Sequence, residues 1–286
     1  MIDLHIHSTL SDGNHSIYEI ENLAKEKEIE VLSVTDHDSI ESSKLLSKHN
    51  SSLLWLPGTE LSTETHYFNE KHKVHLLGYG YDYNNEELNK LLQELHQRRA
   101  SDHQEYLEEL IKKYKYLSKD FFIDFPYGQY GWLYKMVQKQ LNNKISQEHQ
   151  QELVEHIKEN KPVYHKYNTE IEDALSTIKQ ANGYTVLAHP FELKMTQEEQ
   201  KEFIDYLVSI GLDGIETYHN DASKKDIELY HMYAKKYNLL ETGGSDFHRL
   251  SGGDSLGCIH QELTKESPIV KKLIYEKRTV GGRYDN

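Results

Sequence analysis

The chain has 286 residues, 37% hydrophobic and 28% charged, with a formal net charge of −14, 18 histidines and a single cysteine, Cys258. That length suits one large α/β domain, or one domain carrying an insertion, and the negative balance argues against holding long or duplex nucleic acid on a basic surface while leaving room for small phosphorylated substrates. One cysteine excludes internal disulfides and thiolate metal clusters. No apolar run nears the roughly 18–20 residues of a membrane span, and the basic-then-apolar pattern of a secretory signal is missing, so a cytoplasmic protein without membrane association is expected.

In chain order, Asp3–His7 predicts a strand. Ser16–Lys27 has helical spacing, with Ser16 at the N-cap and Glu19 at the capping-box position. Glu30–Asp38 is a buried-type strand with a polar end, and Ile40–His49 a short helix. Leu53–Leu61 predicts a third strand and Lys73–Tyr81 a fourth. From Asn85 to about Asn160 the chain is rich in Glu, Lys, Gln and Tyr at helical spacing, which predicts an insertion over 85–165, a solvated appendage or a cap over a site. The alternation then resumes: Thr169–Gln180 helix, Gly183–Pro190 strand and turn, Thr196–Ile210 helix, Gly211–His219 strand, Ala222–Tyr237 helix, Leu239–His248 strand, Pro268–Glu276 helix. Strands alternating with helices imply a mostly parallel sheet or barrel over 1–84 and 166–286.

The polar ends of these strands form a set. His5 and His7 are two residues apart, so on a strand their imidazoles share a face. Asp36, His37 and Asp38 end the second strand and Glu60 the third, and His75 is on the fourth. His189 follows an apolar run, Glu216 and His219 lie near the end of a later strand, and Asp246 and His248 end the next. Singly, each has a plainer reading: a turn residue for Glu60, a loop histidine for His189, a satisfied core histidine for His75. In parallel β/α architectures, however, functional groups gather at the C-terminal ends of strands, and nearly every predicted strand here delivers one. Imidazole and carboxylate suit Zn²⁺, Mn²⁺ or Fe²⁺. The set is too large for one ion, and a carboxylate such as Glu60 can bridge two. Bridged ions activate water and neutralise phosphoryl oxygens, which points to hydrolysis of a phosphate ester by a metal-bound hydroxide.

Six stretches, "HIHSTLSDG", "TDHDS", "PGTEL", "HLLGYG", "LAHP" and "GSDFH", occur in this order. Together they resemble the PHP (polymerase and histidinol phosphatase) superfamily. The resemblance implies a distorted (β/α)7 TIM-like barrel with a cluster of two to three divalent ions (Mn, Zn or Fe). It also implies nine ligands: His5, His7, Asp12, His37, Glu60, His75, His189, Asp246 and His248, with Glu60 as the bridge. Asp36 and Asp38 would then support an imidazole, and Asp36 is also a candidate for moving protons. The "HSTLSDG" form resembles the branch of nucleoside 3′,5′-bisphosphate phosphatases and RNA 5′-to-3′ exonucleases. That branch often has a Gly-Arg-Pro-His-like stretch in its insertion. Here "PYGQYGWLYKMV" stands in that region and offers Tyr127, Gln129, Tyr130 and Lys135.

The expected protein is a metal-dependent phosphoesterase acting on a nucleoside 3′,5′-bisphosphate or the 5′ end of short RNA. Arg249, Arg98, Arg99 and Lys135 are the candidates for binding the substrate, and His219 for a catalytic contact with it or for supporting a ligand. A phosphatase of another small molecule, such as histidinol phosphate, is the alternative of like chemistry. A non-catalytic metal-binding regulatory module is the alternative of another class.

Overall fold

Short apolar runs bounded by turn residues become strands, and apolar residues spaced by three or four become helices. The computed structural model of the protein describes residues 1–49, 51–68, 71–123, 137, 141–160, 168–250, 255–260 and 262–276. Its elements begin with β1 (Ile2–Ile6), α1 (Ile17–Glu26), β2 (Val31–Val34), α2 (Glu41–Leu46), β3 (Leu54–Trp55), β4 (Gly58–Thr65) and β5 (His72–Tyr79). There follow α3 (Glu86–Lys113), a 3-10 turn (Lys119–Phe122) and α4 (Gln147–Glu159). The remainder is β6 (Thr169–Glu170), α5 (Ile171–Gln180), β7 (Tyr184–Leu187), a 3-10 turn (Pro190–Glu192), α6 (Gln197–Ser209), β8 (Gly214–His219), α7 (Lys224–Tyr237), β9 (Leu240–Gly244) and α8 (Pro268–Tyr275). Ser16 caps α1 through the expected capping box with Glu19, and Thr196 and Ser223 do the same for α6 and α7.

The chain divides into two compact units, residues 1–91 with 169–286, and residues 92–168. The second is helical among its described residues, around buried Leu107, Leu110, Leu117, Phe122, Leu141 and Leu153. In the first, the strands form a three-stranded sheet, β1-β2-β3, and a six-stranded sheet in the order β6-β4-β5-β7-β8-β9. All pairings are parallel except those of β5, which runs antiparallel to both β4 and β7. The two sheets touch through isolated parallel bridges, Ile6 to Phe247 and His37 to Glu60. Among the described residues the ladders do not run unbroken around a closed barrel; the fold is mixed α/β with parallel sheets.

Two expectations change. Leu53–Leu61 is two strands, β3 and β4, because Pro57 between them has no N–H to give a ladder. Glu60 therefore lies inside β4 rather than at a strand end. The fourth strand is reversed: only residues 66–71 separate β4 from β5, too few for the crossover that a parallel pair needs. The reversal brings His75, near the start of β5, opposite Ser62 of β4.

The core explains why β1 carries no exposed residue. Ile6, Leu32, Trp55 and Phe247 pack with Ile20 and Ala24 of α1, while Leu4, Val31, Leu77 and Val186 pack with Ile269 and Leu273 of α8. A strand covered on both faces buries its polar residues too, and Asp3 and His5 are fully buried. Asp3 accepts from the Ser245 N–H at 3.0 Å, the Ser245 hydroxyl at 2.5 Å and the Gly257 N–H at 2.7 Å, which ties the chain after β9 to β1.

Candidate metal centre

All nine carried-over ligand positions converge in the first unit. Oε2 of Glu60 lies 3.3 Å from Nε2 of His5, 3.1 Å from Nε2 of His7 and 3.2 Å from Nδ1 of His37. Its Oε1 lies 2.9 Å from Nδ1 of His75 and 3.0 Å from Nε2 of His189. Oδ1 of Asp246 is 2.9 Å from Nε2 of His7 and 3.4 Å from Nε2 of His5. Asp12 stands 3.3 Å from His248, 3.6 Å from His7 and 3.8 Å from His37. Three overlapping groups drawn wholly from the nine have ligand atoms mutually within 4.8 Å: His7, Asp12, His37 and His248; His5, His7, Glu60 and Asp246; His37, Glu60 and His75.

These atoms crowd one another without pairing well. Among the described residues, no hydrogen bond of proper geometry reaches Nε2 of His5, Nε2 of His7 or Oε2 of Glu60, and all three are buried. Native proteins rarely leave such groups unsatisfied unless an ion or water completes them. Lone pairs of neutral imidazoles and carboxylates aimed at shared space form a nitrogen–oxygen donor set for divalent cations. The residues present therefore fit the metal cluster that the motifs imply.

The far nitrogen of several imidazoles is held from behind. His5 Nδ1–H donates to Glu216 Oε1 at 2.9 Å, and His248 Nδ1–H to the Asp246 carbonyl at 2.7 Å. His7 Nδ1 lies 3.4 Å from the Ser11 hydroxyl, which donates to Asp36 at 2.6 Å. His189 Nδ1 lies 3.3 Å from Glu192. Such partners fix which nitrogen carries the proton and leave the other free to ligate.

The charges follow from this crowding. Burial alone would depress the His7 imidazole, but the carboxylates of Asp246 and Glu60 push it up to about 10. His5 is likewise well above its ordinary value, burial being outweighed by Glu216, Glu60 and Asp246. Glu60 is held well below the usual carboxylate range, the imidazoles of His37, His75 and His5 overcoming its burial. His37, where burial prevails, falls to about 4. Two of the nine, His189 and Asp246, have positive φ of 24° and 50°, a strain on the order of 1–3 kcal/mol each that the surrounding fold must hold in place.

Local sequence explains the loop that carries Asp12. A Cβ on Gly13 would lie 2.2 Å from the His7 carbonyl oxygen, so only glycine lets the loop fold back on β1. Asp36 anchors the same loop, accepting from the Ser8 N–H and hydroxyl, each at 2.7 Å, and from Ser11. Its expected support of an imidazole thus runs through Ser11 to His7 rather than by direct contact. Asp38 instead accepts from the Ser62 N–H at 2.8 Å, holding β4.

His219 is buried at the same centre, its ring edge-on to His5 and His189 at 6.2 Å and 5.0 Å from Phe191. Arg249 is exposed and directly follows His248. Arg98 and Arg99 belong to the helical unit, where Arg98 pairs with Glu94 at 3.5 Å and Arg99 is buried. Tyr127, Gln129, Tyr130 and Lys135 lie outside the described residues. The supporting roles of Ser8, Ser11, Glu192 and Glu216 went unread in the sequence. For Ser8 and Ser11, their place inside "HSTLSDG" was the available signal.

No family model matches the chain. It is 28% identical to a 5′-3′ exoribonuclease of Haemophilus influenzae over 95% of this chain and 98% of that one. To a 3′,5′-nucleoside bisphosphate phosphatase of Chromobacterium violaceum it is 26% identical, over 90% of each. Its fold is that of an amidohydrolase of Chromobacterium violaceum solved with sulfate and no metal, with a TM-score of 0.74, 24% identity, and 99% and 98% of the two chains covered. The similarity to proteins named for exoribonuclease and bisphosphatase activity, the branch that the motifs resemble, thus extends over nearly the whole chain. Among the described residues no helix is long and apolar enough to cross a membrane.

Proposed function

We propose that the chain is a metal-dependent phosphoesterase that hydrolyses a phosphate ester, either the 3′-phosphate monoester of a nucleoside 3′,5′-bisphosphate or the phosphodiester at the 5′ end of a short oligoribonucleotide. The observation that carries this reading is the convergence of five imidazoles, those of His5, His7, His37, His75 and His189, on Glu60, with its two oxygens turned to different imidazoles. The whole-length similarity to proteins named for these activities supports the substrate class. The bridges from β1 to the chain after β9, and from the chain after β2 to β4, support a distorted seven-stranded barrel of β1, β2, β4, β5, β7, β8 and β9, with the helical unit as an insertion, in a cytoplasmic enzyme.

His5, His7, Glu60 and Asp246 would hold one ion. His75 and His189 would share Glu60 with a second, and Asp12, His37 and His248 would complete a set for two to three ions of Mn, Zn or Fe. Bound there, divalent ions lower the pKa of water and neutralise phosphoryl oxygens. In the reaction a water oxygen adds to phosphorus, the P–O ester bond breaks, and the alcohol and phosphate leave. His219 accepts the Asp221 N–H on Nδ1 at 3.1 Å, so its neutral form carries its proton on Nε2, placed to meet a substrate oxygen. Arg249, at the exposed end of the same loop as His248, is the candidate for the phosphate that is not cleaved.

The test is phosphate release from adenosine 3′,5′-bisphosphate and from histidinol phosphate, with Mn²⁺ and with chelator. Chelator-sensitive release from the bisphosphate is expected. Release only from histidinol phosphate would overturn the substrate class. No release from either or from short RNA, by metal-loaded protein, would favour a non-catalytic metal-binding module.

A further inference from the structure

We propose that Glu216 is a positioning residue of the metal centre, whose carboxylate sets the proton position of His5 and fixes the turn that carries His189. The inference rests on the metal-centre reading above and assigns a task to a residue outside the nine ligands.

Glu216 lies in β8, and its side chain is completely buried. One oxygen, Oε1, takes the Nδ1–H of His5 at 2.9 Å, from a residue 211 positions away. The other, Oε2, takes the backbone N–H of His189 at 2.7 Å. With both oxygens engaged, the carboxylate is committed to support; His5, Glu216 and His219, whose ligand atoms also lie within 4.8 Å of one another, form the back of the centre rather than another ion site.

Each bond has a separate consequence. A neutral imidazole carries one proton, and His5 can turn the Nε2 lone pair toward Glu60 and Asp246 only while that proton sits on Nδ1. Glu216 is the acceptor that keeps it there. His189 adopts a backbone φ of 24°, and its N–H is held by the other oxygen, so the same side chain stabilises a conformation that the chain alone disfavours. One carboxylate in β8 thereby links a ligand on β1 to a ligand following β7. A buried carboxylate is costly without such partners.

The test compares wild type with Glu216→Gln in Co²⁺ titrations followed by visible absorption, with kcat and KM measured on the Mn²⁺ form. A glutamine fills the same space but must turn its NH₂ toward one of two donors. We expect Co²⁺ binding weakened about 10- to 100-fold, an altered visible spectrum, and a fall in kcat larger than the change in KM. Wild-type affinity and spectrum in a folded Glu216→Gln protein would overturn the assignment. Should the variant not fold, ¹⁵N-histidine NMR of the Zn²⁺-loaded wild type decides: the assignment requires the His5 proton on Nδ1, and a proton on Nε2 overturns it. A wild-type protein that binds neither ion would instead bring down the metal-centre reading and this inference with it.

Discussion

Glu60 and His37 meet twice: their backbones form the isolated parallel bridge between the two sheets, and Nδ1 of His37 lies 3.2 Å from Oε2 of Glu60. The joint between the sheets is therefore also part of the centre. The remaining Glu60 contacts come from β1, β5 and the turn after β7, so one carboxylate gathers groups from both sheets. Glu60→Gln keeps the size and removes the charge. Because Glu60 would be a ligand to more than one ion, its loss should lower turnover at least as much as loss of a supporting residue, at least about 100-fold. Metal analysis of the dialysed protein should show fewer ions per chain. Full occupancy with normal turnover would remove Glu60 from the centre.

Loading the centre should release protons. In the metal-free protein His7 is pushed up to about 10 and His5 also lies well above its ordinary value, so both are protonated at neutral pH. A raised folded-state value stabilises the metal-free fold fully below the unfolded value near 6.5, and that contribution is lost as pH rises through about 10 for His7. Cations must displace these protons to reach Nε2, so metal affinity rises with pH across the neutral range. Calorimetric titration with Mn²⁺ at pH 7 in buffers of different ionisation enthalpy measures the number released. A buffer-independent enthalpy would contradict the protonated imidazoles.

Much of this centre was legible because strands impose a period of two. His5 and His7 share a face for that reason, and their ring centroids lie 5.3 Å apart. In "TDHDS" the strand has already ended, so its period says nothing of Asp36 and Asp38, which hold Ser8, Ser11 and Ser62. The reversal of β5 was also readable, since residues 66–71 leave no room for a crossover helix. Glu216 was different. Its partner His5 is 211 residues distant and lies in the other sheet, and the approach of the two sheets at the Ile6–Phe247 bridge brings them together.

Asp36 should act by position. Burial raises its carboxyl, yet its oxygens are occupied by Ser8 and Ser11, which fix the loop of Asp12. Asp36→Asn keeps the acceptor for the Ser8 N–H and Ser11 only if its NH₂ takes the Oδ2 position and the Ser8 hydroxyl turns to accept, and it loses the charge that strengthens all three bonds, at a cost of about 1–3 kcal/mol. The expected result is parallel loss of bound metal and turnover with a lowered thermal midpoint. Were turnover lost while every ion stayed bound and the midpoint held, Asp36 would be moving protons instead.

His219 should separate from the ligands in the opposite sense. Its Nδ1 is taken by the Asp221 N–H, so the neutral ring offers a proton rather than a lone pair to the centre. His219→Ala is expected to retain its ions and lose about 10²- to 10⁴-fold in kcat, the usual range for a positioned proton donor. Metal content and the pH profile of kcat are the measurements. A variant that loses metal in proportion to activity would place His219 among the ligands or their supports.

Gly244, at the end of β9, tests how tightly the centre depends on the backbone beneath it. A Cβ there would lie 2.5 Å from both the backbone nitrogen and the Cβ of His5, and 2.8 Å from Oδ1 of Asp3. Backbone cannot yield as a flexible side chain does, so Gly244→Ala must push β9 from β1. The displacement would strain the bonds from Ser245 to Asp3 and move His5 relative to Asp246, whose Oδ1 now lies 3.4 Å from His5 Nε2. Overpacking of this kind typically costs about 1–3 kcal/mol, and misplacement of a reacting group by about 1 Å can cost 10²-fold in rate. The variant should therefore unfold at lower denaturant and, under conditions where it remains folded, bind metal more weakly and turn over at least tenfold more slowly. If Gly244→Ala kept wild-type stability and metal affinity, the close approach of β9 to β1 described here would be wrong.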